Sequence, residues 1–240
     1  MSDLALFWPA LAAGVVVAAT HVPLGMQVLA RGIVFIDLAV AQMAGLGVVL
    51  ADSLGLEARG AGMQLTALGA ALAGALFFTW TEKRWPQVQE AVIGVAFIVA
   101  ASAAVLLLAA NPHGAEHLKD LLTGQILWVT PAQAGWAGVA SALVLLAWSK
   151  LKDSRIGFYL LFACAVTVSV QLVGMYLVFA SLIVPALATL RLHKLRIAAG
   201  AAMCVVGYAL GLALSVYTDL PAGPLIVCTL VGLGVLLKLH

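Results

Sequence analysis

The sequence predicts an all-α polytopic membrane protein, and three observations carry that assignment. Hydrophobic residues make up 64% of the 240-residue chain and charged residues only 9%. Its mean hydropathy of +1.13 lies far outside the soluble range. Apolar runs of roughly 18 residues or more recur along the whole length, each long enough to cross about 30 Å of hydrocarbon. These runs are continuous rather than alternating, which argues against a β-barrel.

The runs place spans near 4–23, 33–51, 63–81, 91–110, 131–149, 157–170, 174–189, 197–216 and 224–239. Met1-Ser-Asp3 has no basic stretch before the apolar run, so the first segment is expected to be a span and not a removed signal. Lysine and arginine placement sets the orientation. With the N-terminus outside, Arg31, Lys83, Arg84, Lys150, Lys152, Arg155, Arg191, Lys194, Arg196 and Lys238 face the cytoplasm. Only Arg59 and Lys119 fall outside. Residues 156–190 are short for two full crossings at about 1.5 Å per residue. Two short helices meeting at a buried turn near Gln171–Gly174 are therefore expected, beside a translocation path. Should those two helices be one, the count is eight rather than nine.

With no long linker and no soluble segment, residues 1–240 read as a single transmembrane domain. The charge of +2 says little about partners. No basic cluster is interleaved with exposed aromatics, which argues against nucleic acid. Cys164, Cys204 and Cys228 lie in apolar segments without C-x-x-C spacing and read as buried small hydrophobes. Gly207, Gly211 and Ser215, each four apart, form a small-residue helix face suited to close packing within the chain, with a seam between two copies as the alternative.

Several residue patterns carry chemistry. Asp37 is a carboxylate in the second span, where an ionisable group is expensive and its default reading is functional. A buried hydrogen-bonded role is the alternative. The external loop holds His113-Gly-Ala-Glu116-His117, two imidazoles and a carboxylate that could meet one Zn²⁺ if helical. Asn111-Pro112 and Gly114 favour a loop, so contact with a partner or a transient hand-off of metal fits better than a fixed site. His21 reads as an interfacial anchor, and Glu90 as a partner for Lys83 and Arg84. No G-x-x-x-x-G-K-[ST] occurs, so any ATPase is a separate chain.

Five segments, in order, carry a resemblance. They are Pro23–Phe35 with the second span to Asp52, Glu90–Phe97, Leu118–Val129, Gln171–Thr189, and the stretch 205–227 with its Asp219-Leu-Pro-Ala-Gly-Pro224 turn. Together they resemble the permease subunit of ABC importers for zinc, manganese or iron. The resemblance implies the metal-type ABC importer permease fold and a transport subunit that is not itself an enzyme. The cargo is expected to be a divalent metal, zinc first. Manganese, iron or an iron chelate is the alternative, and a metal-dependent membrane peptidase built on His113, Glu116 and His117 a remote one.

The same resemblance implies two permease copies, two ATPase subunits that hold the ATP, and a periplasmic or lipid-anchored metal-binding protein, all at the bacterial inner membrane. No cofactor is expected on this chain. Members of the family usually carry an Asp and, one turn later, a His in the second helix, facing the pore. Here Gln42 stands at the His position and Leu38 at the Asp position, with Asp37 one residue early. Asp37 and Gln42 are thus the pathway candidates. Pro185 and the basic stretch after it resemble the coupling element, with Leu187, Leu190, Arg191, Leu192, Lys194 and Arg196 as the residues expected to seat against the ATPase.

Overall fold

The computed structural model describes residues 3–56, 60–109, 122–151, 153–192 and 194–238. Among them are nine α-helices: α1 (Asp3–Arg31), α2 (Ile36–Ser53), α3 (Ala61–Arg84), α4 (Gln89–Leu108), α5 (Pro131–Leu151), α6 (Arg155–Val173), α7 (Met175–Ala188), α8 (Arg196–Thr218) and α9 (Ala222–Lys238). Single 3₁₀ turns at Pro86–Val88 and Ile126–Trp128 lead into α4 and towards α5. Seven of the nine are long and apolar enough to cross a membrane, and α7 and α9 are shorter apolar helices.

Two helix boundaries differ from expectation. α1 does not end near residue 23 but runs through Pro23 to Arg31, where Gly32 at φ +69° ends it. Pro23 removes one amide donor, a loss that transmembrane helices tolerate when neighbours surround the freed carbonyl. The residues beyond it are good helix formers, and Leu24 and Val28 are buried. α6 is also longer than the short helix expected: at 19 residues it reaches about 28 Å. Of the two, α7 is the short one, with 14 residues.

The chain forms two compact units. The first comprises Met1–Arg31, Leu122–Leu143 and Val168–His240. Helix α7 is its hub, because α1, α8 and α9 all pack on it. Bare glycines permit the approach. A methyl at Gly25 of α1 would overlap the Leu182 carbonyl, and one at Gly200 of α8 would press on Val22 and Pro185. Pro185 lies inside α7 and does not break it. Its missing N–H leaves the Ser181 carbonyl without a helical donor. The Cys204 thiol of α8 points at that carbonyl from 3.9 Å. Beside it, Ser181 Oγ donates to the Leu177 carbonyl at 2.7 Å, so its 2.9 Å bond to the Tyr208 hydroxyl is donated by the tyrosine. The Tyr208 ring in turn lies where a Gly14 side chain would be.

The small-residue face of α8 packs within the chain, as expected. Gly207 meets Leu230, Gly211 meets the Ile226 backbone, and Ser215 Oγ donates to the Leu220 carbonyl at 2.6 Å. The turn at Gly174, with φ +82°, is buried as anticipated, and protein covers it: the backbone of Thr123–Gly124 lies directly against it. Of the cysteines, Cys204 is buried, but Cys228 is exposed on the surface of the chain, contrary to the reading of all three as buried.

The second unit comprises Gly32–Leu121 and Val144–Thr167. Helix α2 packs on α3 and α4, with Gly47 against Thr66 and Ala67 and Gly74 against the Met43 sulfur. Phe78, Phe158, Tyr159 and Phe162 stack into an aromatic core. Gln89 crosses this core, donating to the Phe78 carbonyl at 3.1 Å and to the Tyr159 hydroxyl at 3.2 Å. Arg155 pairs with Glu82 at 2.9 Å.

Close backbone approach should make Gly211 intolerant of a side chain. Gly211→Val is expected to cost about 1–3 kcal/mol by overpacking, read as a lowered melting temperature of the detergent-purified protein. Gly69→Val, with nothing within 4 Å of the new Cβ, should leave the melting temperature unchanged.

Candidate functional site

Two groups of candidates fall on described residues: the start of α2 and the segment joining α7 to α8. Asp37 occupies the first turn of α2, fully buried. Among the described residues the protein supplies no hydrogen-bond donor to either carboxylate oxygen. Such a group is costly to bury without a partner. The aligned amides of the helix start favour its negative charge, yet a helix terminus offsets only part of that cost.

Gln42 is also buried, at 4% exposure. Five residues separate it from Asp37, which on an α-helix means about 7.5 Å along the axis and about 140° around it. The two side chains therefore leave α2 on different faces and cannot close on one ion as an i, i+4 pair can. Among the described residues no group of three or more His, Cys, Asp or Glu is placed to hold a metal. His113, Glu116 and His117 lie outside the described residues.

Glu90 behaves differently from expectation. One carboxylate oxygen accepts the Phe35 N–H at 3.1 Å, across from α4 to the N-cap of α2. No ion pair joins it to Lys83 or Arg84 among the described residues; those cations point outward at the end of α3. Phe35 has no side-chain oxygen to cap the helix, so the cap comes from a neighbouring helix. His21 is likewise not an interfacial anchor: it is fully buried within α1. Its Nδ1 lies 3.1 Å from the Val17 carbonyl and 3.0 Å from the Thr20 hydroxyl. Nε2 is buried with no donor from the described residues.

The basic segment after α7 forms a turn. Thr189 ends α7, its N–H and hydroxyl both bonded to the Pro185 carbonyl at 3.1 and 2.7 Å. Leu187, Leu190 and Leu192 are 38%, 47% and 40% exposed, an apolar patch that the chain itself leaves uncovered. Arg191 and Lys194 are exposed beside it. Arg196 turns inward instead and donates from Nη2 to the Ala186 carbonyl at 3.2 Å. A cation at the carboxyl end of α7 satisfies a carbonyl left over by the helix. Arg196 thus holds the turn in place, while Leu190, Arg191, Leu192 and Lys194 present its outer face.

Signals for these features are present in the sequence but local. Glu90 and His21 are visible as polar residues in apolar runs. Their partners depend on which helices become neighbours, and no spacing rule reports that.

The ABC 3 transport family model matches residues 3–154 and 150–239. No curated protein matches the sequence. Among solved structures, the chain is similar to PsaBC from Streptococcus pneumoniae in complex with a Fab, with a TM-score of 0.78, 19% identity, and 99% of this chain and 91% of that one covered. A metal-chelate type ABC transporter in an inward-facing conformation matches with a TM-score of 0.72 and 15% identity over 96% of this chain and 84% of that one. At these identities the likeness shows the fold.

The Glu90 cap yields a prediction. Glu90→Ala removes the acceptor of the Phe35 N–H and should cost about 1 kcal/mol of local stability. Hydrogen exchange of the 33–39 amides should then be several-fold faster, whereas Glu90→Gln, which keeps an acceptor oxygen, should restore most of the protection.

Proposed function

Because the chain belongs to the ABC 3 transport family, we propose that it is the permease of an ATP-driven importer for a divalent metal ion, with zinc as the cargo. The family match over nearly the whole chain carries this reading. The protein is a multi-pass transport subunit of an ABC transporter, not an enzyme. Two copies form the pore in a bacterial inner membrane, two ATPase chains dock beneath, and a binding protein delivers the ion from outside, with His113, Glu116 and His117 as its point of hand-off. The chain acts as one permease domain and binds no cofactor of its own.

Asp37 supplies the negative charge along the cation's path. Its burial without a donor among the described residues supports this, because a passing cation offsets the cost of the bare carboxylate. Gln42 contributes an amide oxygen, a poorer ligand for zinc than imidazole. That favours brief contact over tight capture. A permease for manganese, iron or a metal chelate is the second reading. Gln42 at the family's His position is the observation that favours it, since a chelate brings its own ligands. One of the similar structures is itself described as metal-chelate type.

Coupling runs through the exposed patch of Leu190 and Leu192, which seats in the ATPase when the nucleotide-bound pair closes. Leu187 borders the patch, and Arg191 and Lys194 flank it.

Asp37→Asn keeps the shape and removes the charge. It should leave an assembled complex whose uptake of radioactive zinc falls at least tenfold; wild-type uptake would place the path elsewhere. Gln42→His should shift the ratio of zinc to manganese uptake, and an unchanged ratio would remove Gln42 from the pathway.

Leu190→Asp tests the coupling patch. Leu190 is half exposed, so the permease itself should fold. A charge entering an apolar seat costs several kcal/mol, which should reduce co-purification of the ATPase by about a hundredfold. An unchanged complex with unchanged ATPase stimulation would reject the patch as the docking element.

A further inference from the structure

An apolar groove of about 550 Å³ opens on the surface of the second unit, walled by α2, α3 and α4. Met43, Phe77, Val88, Val92, Val95 and Val99 line it, and every one of its lining residues is apolar. Along α4 the groove extends from Val88 to Val99, about 16 Å at a helical rise of about 1.5 Å per residue. That is close to the depth of one leaflet, half of a hydrocarbon core of about 30 Å.

The end of the groove at Val88 abuts the only turn between α3 and α4. Phe77, in the groove wall, touches Trp80 at 6.3 Å between ring centroids. Trp80 meets Trp85 edge to face at 5.2 Å. Both indoles are about half exposed, as in the aromatic belts that mark the headgroup level. Lys83 and Arg84 stand in the last turn of α3 between them. Both are exposed, and neither has an ion-pair partner among the described residues; the neighbouring Glu82 is held by Arg155.

We propose that this groove is a binding site for one anionic phospholipid of the cytoplasmic leaflet. An acyl chain lies along Val92, Val95 and Val99, and the headgroup phosphate meets Lys83 and Arg84. Three independent features select this occupant: a wholly apolar lining, a length of one leaflet, and two free cations at the end where a headgroup would lie. A second copy of the chain would need apolar surface to continue past Trp85, and the lysine and arginine interrupt it there. The placement of lysine and arginine along the chain puts Lys83 and Arg84 on the cytoplasmic side by the positive-inside rule. The site is independent of the transport reading.

The test uses the detergent-purified permease, titrated in native mass spectrometry with palmitoyl-oleoyl phosphatidylglycerol or the matching phosphatidylcholine. Wild-type protein should retain one phosphatidylglycerol at about tenfold lower concentration than phosphatidylcholine, as two nearby cations would produce. Lys83→Gln with Arg84→Gln should abolish that preference. Ala96→Trp, which fills the groove, should weaken binding of both lipids, while Leu143→Trp on an exposed face elsewhere should not. Circular dichroism and melting temperature check that the variants are folded; if Ala96→Trp is not, Val95→Trp at an exposed groove position replaces it.

Equal retention of the two lipids by wild type, or an undiminished preference in the Lys83 and Arg84 variant, would overturn the headgroup contact. Unchanged lipid retention in the groove-filling variant would overturn the acyl site. So would its conversion of a dimer into monomers on light scattering, because a second chain would then be the occupant.

Discussion

Backbone groups in a bilayer have no water to turn to, and the first unit is organised around meeting that requirement at α7. Pro185 strips a donor from the Ser181 carbonyl, and Cys204 of α8 supplies a weak replacement at 3.9 Å. Tyr208 and Ser181 then join the same two helices through side chains. None of this is possible unless the helices approach closely, and the glycines of α1 and α8 allow the approach. The proline, the cysteine, the tyrosine and the glycines are one device. Each would be a liability without the others.

The second unit meets the same constraint by other means. Phe35 precedes α2 with no side chain able to cap it, and α4 lends a carboxylate. Gln89, one residue earlier, crosses to α3 and to Tyr159. Adjacent polar residues at the start of α4 thus serve three neighbouring elements. A helix that is otherwise apolar apart from Ser102 is positioned by its first two residues.

Much of this was legible in the sequence because lipid imposes so strong a rule. Apolar runs located the nine helices of the described residues within a few residues, except that α1 continues past the run expected to end near residue 23. In water a proline at that point costs about 3 kcal/mol inside a helix and would favour a stop. Inside a bundle the helix has no solvated alternative and continues. The length of α6 was underestimated for a related reason: a turn was placed from the basic flanks, and Gly174 proved to be its limit.

The candidate site was less legible. The sequence singled out Asp37, but that it is buried with no donor among the described residues depends on which side chains surround it. The inward turn of Arg196 was hidden because a cation beside other cations looks like part of a surface. Only the position of the Ala186 carbonyl shows otherwise.

Gly124 and Gly174 face one another with positive φ, backbone against backbone. Most substitutions in a packed protein can be rescued by a complementary change nearby, because the obstruction is a side chain that can be made smaller. Here the obstruction at each position is main chain, which no substitution removes. The two sites are therefore closed to compensatory change. Among descendants of this chain both glycines should persist while the helices around them drift, unless the loop and the turn are rebuilt together.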